Sequence, residues 1–405
     1  MSYTDQYLQS ELAAQGLEVS VLVNCLVQDA IRLRASDLHV EPWETSIAVR
    51  ARVNGVLTEV AHLPLELLDK ISMRFKVIAN LVTYQAGMPQ DGTAVGGPEL
   101  DGVQLRISIF PTTRGEKIVA RLFDPRDRRF DLSTLGFEDS TLQGLLRVLK
   151  RTSGLLLFTG PTGSGKTSTM YSSLCYITQR DGTSVSISTV EDPVEFNLPM
   201  VSQTQINPAQ EFTYAVALRS IMRQDPQVIM VGEIRDPETA AIAVQAGLTG
   251  HLVLSTIHCG VSAGAFTRLI NMEIEPFMLA SSILGVMGLR LVRCTCPNCA
   301  QPYEPTPSQL KVVPEALVTQ AQFRRGAGCD QCNQSGYADR LPVSELLVVN
   351  EPFRDAVLKK LPTSALEEIA IQQGMRTLWQ NGLSRAISGQ TTLEEIIRVL
   401  AADMV

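Results

Sequence analysis

The sequence predicts an α/β protein with a larger carboxyl-terminal domain and a smaller α+β domain before it. An apolar run at 155–158 enters the glycine-rich segment 160–167, a strand-turn-helix arrangement found in α/β folds. Two C-x2-C pairs follow, so the larger domain is expected to carry a cysteine-rich insertion. Further apolar runs have the length and composition of buried parallel strands and alternate with helical patterns: 185–190, 228–231 and 252–256.

The composition is that of a globular protein without the basic character of a dedicated nucleic-acid binder. The chain has 405 residues, long enough for two or three domains; 45% are hydrophobic and 19% are charged. Its formal net charge of −7 opposes a basic nucleic-acid footprint. Residues 1–16 show no signal-peptide pattern, and no run of about 18 apolar residues suits a membrane helix. The longest apolar-leaning segment, 277–292, is predicted to be a core helix, and a cytoplasmic protein is expected.

The first domain is predicted to span residues 1–123. Apolar residues recur at helical spacing over 19–31, and a second amphipathic helix is expected at 63–81. Between these helices, alternating strands flank Asn54-Gly55, a residue pair that favours a type I′ hairpin turn. An extended segment and a further strand pair complete the α+β pattern: 36–42, 103–110 and 117–123.

A charged segment that contains a proline and lacks periodicity, 124–131, is predicted to link the two domains. The second domain is predicted to span 132–405. It includes the glycine-rich segment and a cysteine-bearing element at 294–340, and it ends in helices from Pro352 onward.

The glycine-rich segment matches the phosphate-loop pattern G-x-x-x-x-G-K-[ST] at every position. Its glycines let backbone N–H groups converge on a phosphate, and Lys166 would add a positive charge beside the β- and γ-phosphates of a nucleotide. Thr167 would offer its hydroxyl to Mg²⁺. The alternative is a glycine-rich turn that binds nothing. The predicted nucleotide-binding residues are Gly160, Pro161, Thr162, Gly163, Ser164, Gly165, Lys166, Thr167 and Ser168.

Two acidic strand ends are candidates for the chemistry at this loop. Glu233 follows the apolar run 228–231, which places it at the carboxyl edge of the sheet, where it would polarise a water or hold Mg²⁺ through one. Glu191 belongs to a cluster with Asp192 and Glu195. These three carboxylates repel one another, and a nearby cation such as Mg²⁺ would relieve the repulsion. The alternative for each is a solvated surface carboxylate.

Three further residues are candidates for contact with phosphate. His258 follows the run 252–256 and would face the γ-phosphate, although a lone histidine is usually structural. Arg219 and Arg223 lie four residues apart, so on a helix they would share one face and would reach a phosphate in cis or from a neighbouring subunit. A solvated basic face is the alternative for this pair.

The cysteine pairs predict a structural metal site. Four thiolates in two C-x2-C pairs suit a closed, tetrahedral Zn²⁺ site that leaves no open position for catalysis. The alternative is an unpaired cluster of reactive thiols. The predicted ligands are Cys296, Cys299, Cys329 and Cys332.

Five ordered segments resemble motifs of the secretion traffic ATPases, which power type II secretion and type IV pilus systems. The resemblance runs from about residue 18 to the carboxyl terminus and implies a RecA-like fold, ATP hydrolysis with Mg²⁺, and Glu233 as the catalytic carboxylate with Glu191 as its partner. The tetracysteine element marks assembly-type and secretion-type members. The segments that resemble the family's Walker A, Asp box, arginine, Walker B and His box motifs are 160–167, 189–195, 219–226, 231–236 and 249–258.

The same resemblance extends to the first domain and to partners. Segments 35–42, 90–92 and 106–108 are similar to the family's second, PAS-like N-terminal domain, whose basic residues complete the nucleotide site on closure. Arg106 is the candidate for that role, with Arg121 as a second choice. The family implies a homo-hexamer at the cytoplasmic face of the inner membrane, bound to a polytopic platform protein. A further partner in the family is a cytoplasmic protein that recruits the ATPase to the membrane. Only residues 1–17 precede the segment that resembles the family, so this partner is expected to bind other surfaces of the chain.

Departures from the family pattern at Asn54, Thr93, Cys259 and Leu289 leave the phosphate loop and Glu233 intact, so hydrolysis is expected to remain. Three other functions stay open at this point. A retraction-type pilus motor is disfavoured by the cysteine pairs, and a RecA-like nucleic-acid translocase is disfavoured by the acidic charge and by an aromatic content of 5%. The third is a scaffold that binds ATP and zinc without hydrolysis.

Overall fold

The structure is a computed structural model that describes residues 2–14, 17–95, 100, 102–123 and 130–401. The chain divides into two compact units, Met1–Arg128 and Arg129–Val405. Most of the predicted linker, 124–129, lies outside the described residues. Among the helices described, none has both the length and the apolar character needed to span a membrane.

The first unit packs helices against one six-stranded antiparallel sheet. Leu22 and Leu26 of one helix and Ile71 and Phe75 of another are fully buried with the apolar residues of the sheet. The elements are α1 (Tyr3–Ala14), α2 (Val19–Arg32), β1 (Ala35–Pro42), β2 (Ile47–Val53), β3 (Val56–Leu63), α3 (Leu68–Ile78), β4 (Gln90–Val95), β5 (Gln104–Thr112) and β6 (Gly115–Phe123). The strand order is β3-β2-β1-β6-β5-β4.

Two features of this sheet follow from backbone geometry. At the hairpin between β2 and β3, Asn54 has a φ of 49° and Gly55 a φ of 83°, the positive values that a type I′ turn requires, so the predicted turn is confirmed. The sequence analysis missed β4, because polar residues and a glycine interrupt its alternation. Gly92 is required in β4, since a Cβ there would lie 2.6 Å from the carbonyl oxygen of Ala79.

The second unit is built on a seven-stranded sheet, which confirms the predicted α/β class. Its strand order is β15-β12-β7-β11-β10-β8-β9, parallel throughout except that β15 runs antiparallel to β12. The strands are β7 (Gly154–Thr159), β8 (Ile187–Glu191), β9 (Ser202–Gln205), β10 (Val228–Val231), β11 (Leu252–Ile257), β12 (Ile283–Thr295), β13 (Ala300–Pro302), β14 (Arg324–Gly326) and β15 (Tyr337–Val348), of which β13 and β14 form a separate small ribbon.

Helices cover both faces of this sheet. Leu155 and Leu157 of β7 pack into one apolar cluster, and Leu156 and Phe158 pack into the other, so the strand is buried on both sides. Burial of each such side chain contributes about 1.5–3 kcal/mol. The helices are α4 (Asp139–Leu149), α5 (Lys166–Asp181), α6 (Tyr214–Ile221), α7 (Pro237–Leu248), α8 (Gly264–Asn271), α9 (Pro276–Ser282), α10 (Pro307–Leu310), α11 (Glu315–Val318), α12 (Glu351–Leu358), α13 (Thr363–Gln372), α14 (Leu378–Ile387) and α15 (Leu393–Leu400).

The expectation of a core helix at 277–292 is wrong. Only the first part of this segment is helical, as α9, and the chain then enters β12 at Ile283. Because β12 lies between β7 and β15 and is buried on both faces, its apolar residues do not alternate with polar ones. Apolar periodicity alone does not separate such a strand from a buried helix.

The sheet topology sets the position of the candidate site. Strands β7, β8, β10 and β11 are parallel neighbours, with Gly154, Leu252, Val228 and Ile187 in register across them. Their carboxyl ends therefore meet at one edge of the sheet, where ligands bind in open α/β folds. The phosphate loop, Glu191, Glu233 and His258 all follow or end these strands.

Candidate nucleotide site and cysteine cluster

The phosphate loop adopts a conformation that requires its glycines. Gly160, Gly163 and Gly165 have φ values of 145°, 75° and 91°, which side chains with a Cβ rarely adopt. A Cβ at Gly160 would also lie 2.4 Å from the carbonyl oxygen of Leu289. Helix α5 begins directly after the loop, at Lys166, so the loop leads into the positive end of a helix dipole. This geometry is that of an anion-binding turn.

Lys166 is held inside the loop by the loop's own backbone. Its Nζ donates hydrogen bonds to the carbonyl oxygens of Gly160, at 2.7 Å, and of Pro161, at 2.8 Å. Burial lowers the pKa of Lys166, and the positive charge of Arg290 lowers it further, while the Glu233 carboxylate raises it. Glu233 follows β10 at the same edge of the sheet as the loop, and its role toward a nucleotide stays a prediction.

Glu233 follows β10 and is held by two basic side chains. Its Oε1 lies 2.5 Å from Arg235 Nη2, and its Oε2 lies 3.5 Å from His258 Nε2. The Glu233 side chain is only 15% exposed. Close packing beside it requires Gly232, because a Cβ there would lie 2.8 Å from the Tyr214 hydroxyl. Sequence reasoning did not single out Arg235, although its place two residues after Glu233 in a strand-end turn was a signal.

The pKa of Tyr214 is affected by the negative charges of this region. Burial raises the pKa of the Tyr214 hydroxyl, and the carboxylates of Glu233 and Asp192 raise it further. The hydroxyl therefore stays protonated at neutral pH and is available as a hydrogen-bond donor beside Glu233.

His258 is placed by a hydrogen-bonded link between two strand ends. The hydroxyl of Thr159, the last residue of β7, donates to the Cys259 carbonyl at 2.8 Å and accepts from the Cys259 N–H at 3.0 Å. Cys259 directly follows His258, so the start of the phosphate loop and the histidine are fixed to each other. The His258 side chain is 48% exposed, which leaves it open to a ligand.

Glu191 lies in a different setting from Glu233. It is buried, and its carboxylate accepts hydrogen bonds from Tyr171, from Thr189 at 2.5 Å and from Gln203 at 3.0 Å. Tyr171 lies on α5, the helix that starts at the phosphate loop. Glu191 therefore joins the end of β8 to α5 through hydrogen bonds. These bonds fix the position of its carboxylate.

The two arginines predicted to share a helical face do not both lie on the helix. Helix α6 ends at Ile221, so it contains Arg219 but not Arg223. Arg219 pairs with Glu238 at 2.6 Å, and Arg223 Nη1 donates to the Arg219 carbonyl at 3.0 Å. The expectation of one face is corrected, because the helix gives way to a turn before Arg223.

The candidate arginines of the first unit lie side by side on its sheet. Arg106 of β5 is in register with Arg121 of β6. Arg121 pairs with Asp37 at 2.9 Å, whereas Arg106 forms no ion pair with any residue in the described ranges. Their place relative to the phosphate loop stays a prediction, since the two units are separate bodies.

Arg290 is a site residue that the sequence analysis did not single out. It is 6% exposed, within β12, and it donates to the carbonyl oxygens of Leu289 and Gly260, each at 2.9 Å. Its positive charge lowers the pKa of Lys166. An arginine that directly follows the apolar run 283–289 is the signal that marks it, because a buried charge needs a specific reason.

The four predicted cysteines come together. Their sulfur atoms lie within 4.8 Å of one another. Three of the sulfur pairs, 296/329, 299/332 and 329/332, are 3.8, 3.9 and 3.7 Å apart. Tetrahedral ligands with a Zn–S bond of about 2.3 Å would be about 3.8 Å apart. The arrangement therefore fits a tetrahedral zinc site.

The pKa values of two thiols in the cluster move in opposite directions, and burial together with hydrogen bonds from the other thiols raises that of Cys299. Burial raises the pKa of the Cys332 thiol, but hydrogen bonds from the N–H groups of Cys329 and Gly336, each at 3.3 Å, outweigh this effect and lower the pKa to about 7. Thiolates are the form in which cysteines bind metal.

Sequence comparison places the chain among secretion proteins. A family model described as Type II/IV secretion system protein matches residues 13–398. The chain is 42% identical over 381 residues to the type II secretion system ATPase E of Vibrio cholerae serotype O1, covering 93% of this chain and 74% of that protein. It is 41% identical over 399 residues to the type IV pilus assembly ATPase PilB of Myxococcus xanthus, covering 96% of this chain and 69% of that protein.

Two solved structures share the fold. The ATPase DotB of Legionella pneumophila matches with a TM-score of 0.69 and 20% identity, covering 94% of this chain and 96% of that one. The pilus retraction motor PilT with bound ADP matches with a TM-score of 0.61 and 23% identity, covering 92% and 95%. At these identities the likeness concerns the fold alone.

Proposed function

The chain belongs to the type II/IV secretion system protein family, and from that premise we propose that it is a motor ATPase that drives type II secretion or type IV pilus assembly. The observation that carries the proposal is the phosphate loop with Lys166, which follows β7 at the same edge of the sheet as Glu233 after β10. The relatives named ATPases of type II secretion and of pilus assembly support the coupling to secretion or assembly.

Nucleotide binding would begin by replacing the internal hydrogen bonds of the loop. The N–H groups of 160–167 would surround the phosphates, and Lys166 would exchange the carbonyl oxygens of Gly160 and Pro161 for phosphate oxygens. Phosphate oxygens carry more negative charge than carbonyls, so this exchange favours the bound state. Thr167, at the start of α5, would offer its hydroxyl to Mg²⁺, which would neutralise the charge of the phosphates.

Hydrolysis would use Glu233 to orient and deprotonate the attacking water. Arg235 and His258 hold its two carboxylate oxygens, and this fixes the direction in which Glu233 accepts a proton. His258 would sense the γ-phosphate through its exposed ring. Glu191 would support this arrangement from its buried, hydrogen-bonded position rather than act on the water directly.

The remaining candidates would act across domain or subunit boundaries. Arg219 and Arg223 are exposed on the second unit, and Arg106 is exposed on the first. Arginines of this kind stabilise the charge of a transferring phosphoryl group when assembly or closure brings them to it.

We propose that the four cysteines hold a structural Zn²⁺ ion, which would crosslink the β13-β14 ribbon to β12. The assembled protein would be a homo-hexamer that works at the cytoplasmic face of the inner membrane against a polytopic platform protein. These assignments follow from family membership and from the fit of the sulfur atoms to a tetrahedron.

Steady-state ATP turnover of the purified protein, with its oligomer mass, tests the proposal. We expect turnover in a hexamer that requires Mg²⁺, rises with the cytoplasmic part of the platform protein, and is abolished by Lys166→Ala. The matched control is Lys150→Ala, an exposed lysine at the end of α4 that should leave turnover unchanged.

Two outcomes would contradict the proposal. ATP binding without turnover under every condition would identify a nucleotide-dependent scaffold. Turnover that rises with DNA but not with the platform protein would identify a nucleic-acid translocase.

A further inference from the structure

The second unit has a cavity of about 690 Å³ at the edge of the sheet opposite to the edge that carries the phosphate loop. Its wall includes Leu284, next to the first residue of β12, and Val348, the last residue of β15. Because β12 is parallel to β7 and β15 is antiparallel to it, these residues lie at the amino-terminal edge of the parallel strands. Residues of α4, α12 and α13 and the start of α14 enclose the cavity. It is therefore separate from the nucleotide site.

Positive charge dominates this cavity. Four arginines line it, and the lining includes no aspartate or glutamate: Arg147, Arg151, Arg354 and Arg376. Arg376 pairs with Glu138 at 2.8 Å, while the other three form no ion pair with a residue of the described ranges. In a chain with a net charge of −7, three neighbouring arginines without a carboxylate partner in the described ranges mark an anion-binding surface.

A buried amide inside the cavity lacks a hydrogen-bond donor. Asn381 is 3% exposed, and its Nδ2 donates to the carbonyl oxygen of Ser344. A carbonyl only accepts, so this bond fixes the amide nitrogen toward Ser344 and leaves Oδ1 as the free acceptor. Asn381 Oδ1 is buried without a partner. A buried acceptor of this kind destabilises the fold unless a donor reaches it.

We propose that this cavity binds an acidic, extended peptide segment of a partner protein. Aspartate or glutamate side chains of the peptide pair with the arginines in the planar, two-bond geometry that guanidinium groups favour. A backbone N–H of the peptide reaches Asn381 Oδ1. Apolar residues such as Leu284 and Met375 line the remaining wall and accept an apolar side chain of the peptide. A bare carboxylate would satisfy the arginines but would bring no donor for the amide.

The inference goes beyond the motor function, because it assigns a docking site that needs no hydrolysis. Its test is selection of short random peptides on the immobilised full-length protein, followed by fluorescence anisotropy of a selected peptide in solution. The test variant is Arg147→Glu with Arg354→Glu. The control is Lys150→Glu with Lys359→Glu, which reverses exposed charges at the ends of the same two helices and changes the net charge equally.

We expect selected peptides to be enriched in aspartate and glutamate, and their affinity to fall by about tenfold or more in the test variant and by less than about twofold in the control. Replacing the acidic residues of a peptide with their amides should weaken binding equally, and added salt should weaken it further. Melting temperatures of both double variants show that each is folded.

Four outcomes would overturn the inference. Selected peptides without an enrichment in acidic residues would show that the arginines do not recognise the ligand. Equal binding of a peptide to both double variants would show the same. Displacement of the peptide by AMP or pyrophosphate in a Lys166→Ala background would assign the cavity to a phosphate-bearing ligand. A change in oligomer mass in the test variant alone, without peptide binding to the wild type, would assign this face to contacts between copies of the chain.

Discussion

The substitution Thr159→Val tests whether the link between β7 and the residue after His258 supports the site. Valine has nearly the shape of threonine and the same preference for strands, so the change removes the hydroxyl with little change in packing. The Thr159 hydroxyl makes two hydrogen bonds with the Cys259 backbone, one as donor and one as acceptor. Both backbone groups of Cys259 would lose their partner while Thr159 itself is fully buried.

The expected effect is large for one atom. Two partly buried backbone groups left without partners cost about 2–4 kcal/mol together. For a unit of this size, that corresponds to a fall in melting temperature of about 3–7 °C. Because the same link positions His258 beside Glu233, ATP turnover should fall by about tenfold or more. Differential scanning calorimetry and a coupled ATPase assay measure the two effects.

Thr178→Val is the matched control. The Thr178 hydroxyl donates only to the Cys175 carbonyl within the same helix, at 2.9 Å. This control should change the melting temperature by no more than about 2 °C and leave turnover unaltered. Equal behaviour of the two variants would refute the reasoning, because the link at Thr159 would then support neither stability nor catalysis.

Acid stability and metal content provide two further predictions. Burial raises the pKa of Glu395, but hydrogen bonds from two arginines outweigh burial and hold the pKa below its usual 4.5, so this carboxylate stabilises the fold above about pH 4.5 and loses that effect as the pH falls. Glu395→Gln should therefore lower stability near pH 7 and flatten its loss in acid, whereas Glu394→Gln, at an exposed neighbour, should do neither; urea unfolding at a series of pH values measures this. Cys299→Ser should abolish stoichiometric zinc in elemental analysis and lower the melting temperature, while Cys175→Ser keeps the metal; zinc retained by Cys299→Ser would exclude it as a ligand.

The sequence predicted the parts of the site that local chemistry determines. The glycines of the phosphate loop and the Asn54-Gly55 turn need backbone conformations that few residues adopt, so their identity and spacing were sufficient. The position of Glu233 followed from the length of the apolar run before it. The cysteine cluster followed from ligand spacing, even though β13, β14 and two short helices intervene between the pairs.

Other features depend on contacts that sequence spacing does not contain. Strand β12 is apolar on both faces because β7 and β15 flank it, and this burial hid the strand pattern. Helix α6 ends before Arg223, and the pairing of Glu233 with His258 joins the ends of two different strands. The arginine-lined cavity is formed by residues of helices that are distant in the sequence, so no single sequence motif predicts it.

The most direct test of the central claim separates ATP binding from hydrolysis at Glu233. Glu233→Gln keeps the size of the side chain but replaces one acceptor oxygen with an NH2 group, so the side chain no longer accepts a proton. We expect the variant to bind ATP with an affinity within about threefold of wild type and to hydrolyse it about 10²–10⁴ times more slowly in a single-turnover assay. Glu275→Gln, at an exposed glutamate before α9, should match the wild type in both measurements. Wild-type hydrolysis by Glu233→Gln would contradict the account, because another group would then activate the water.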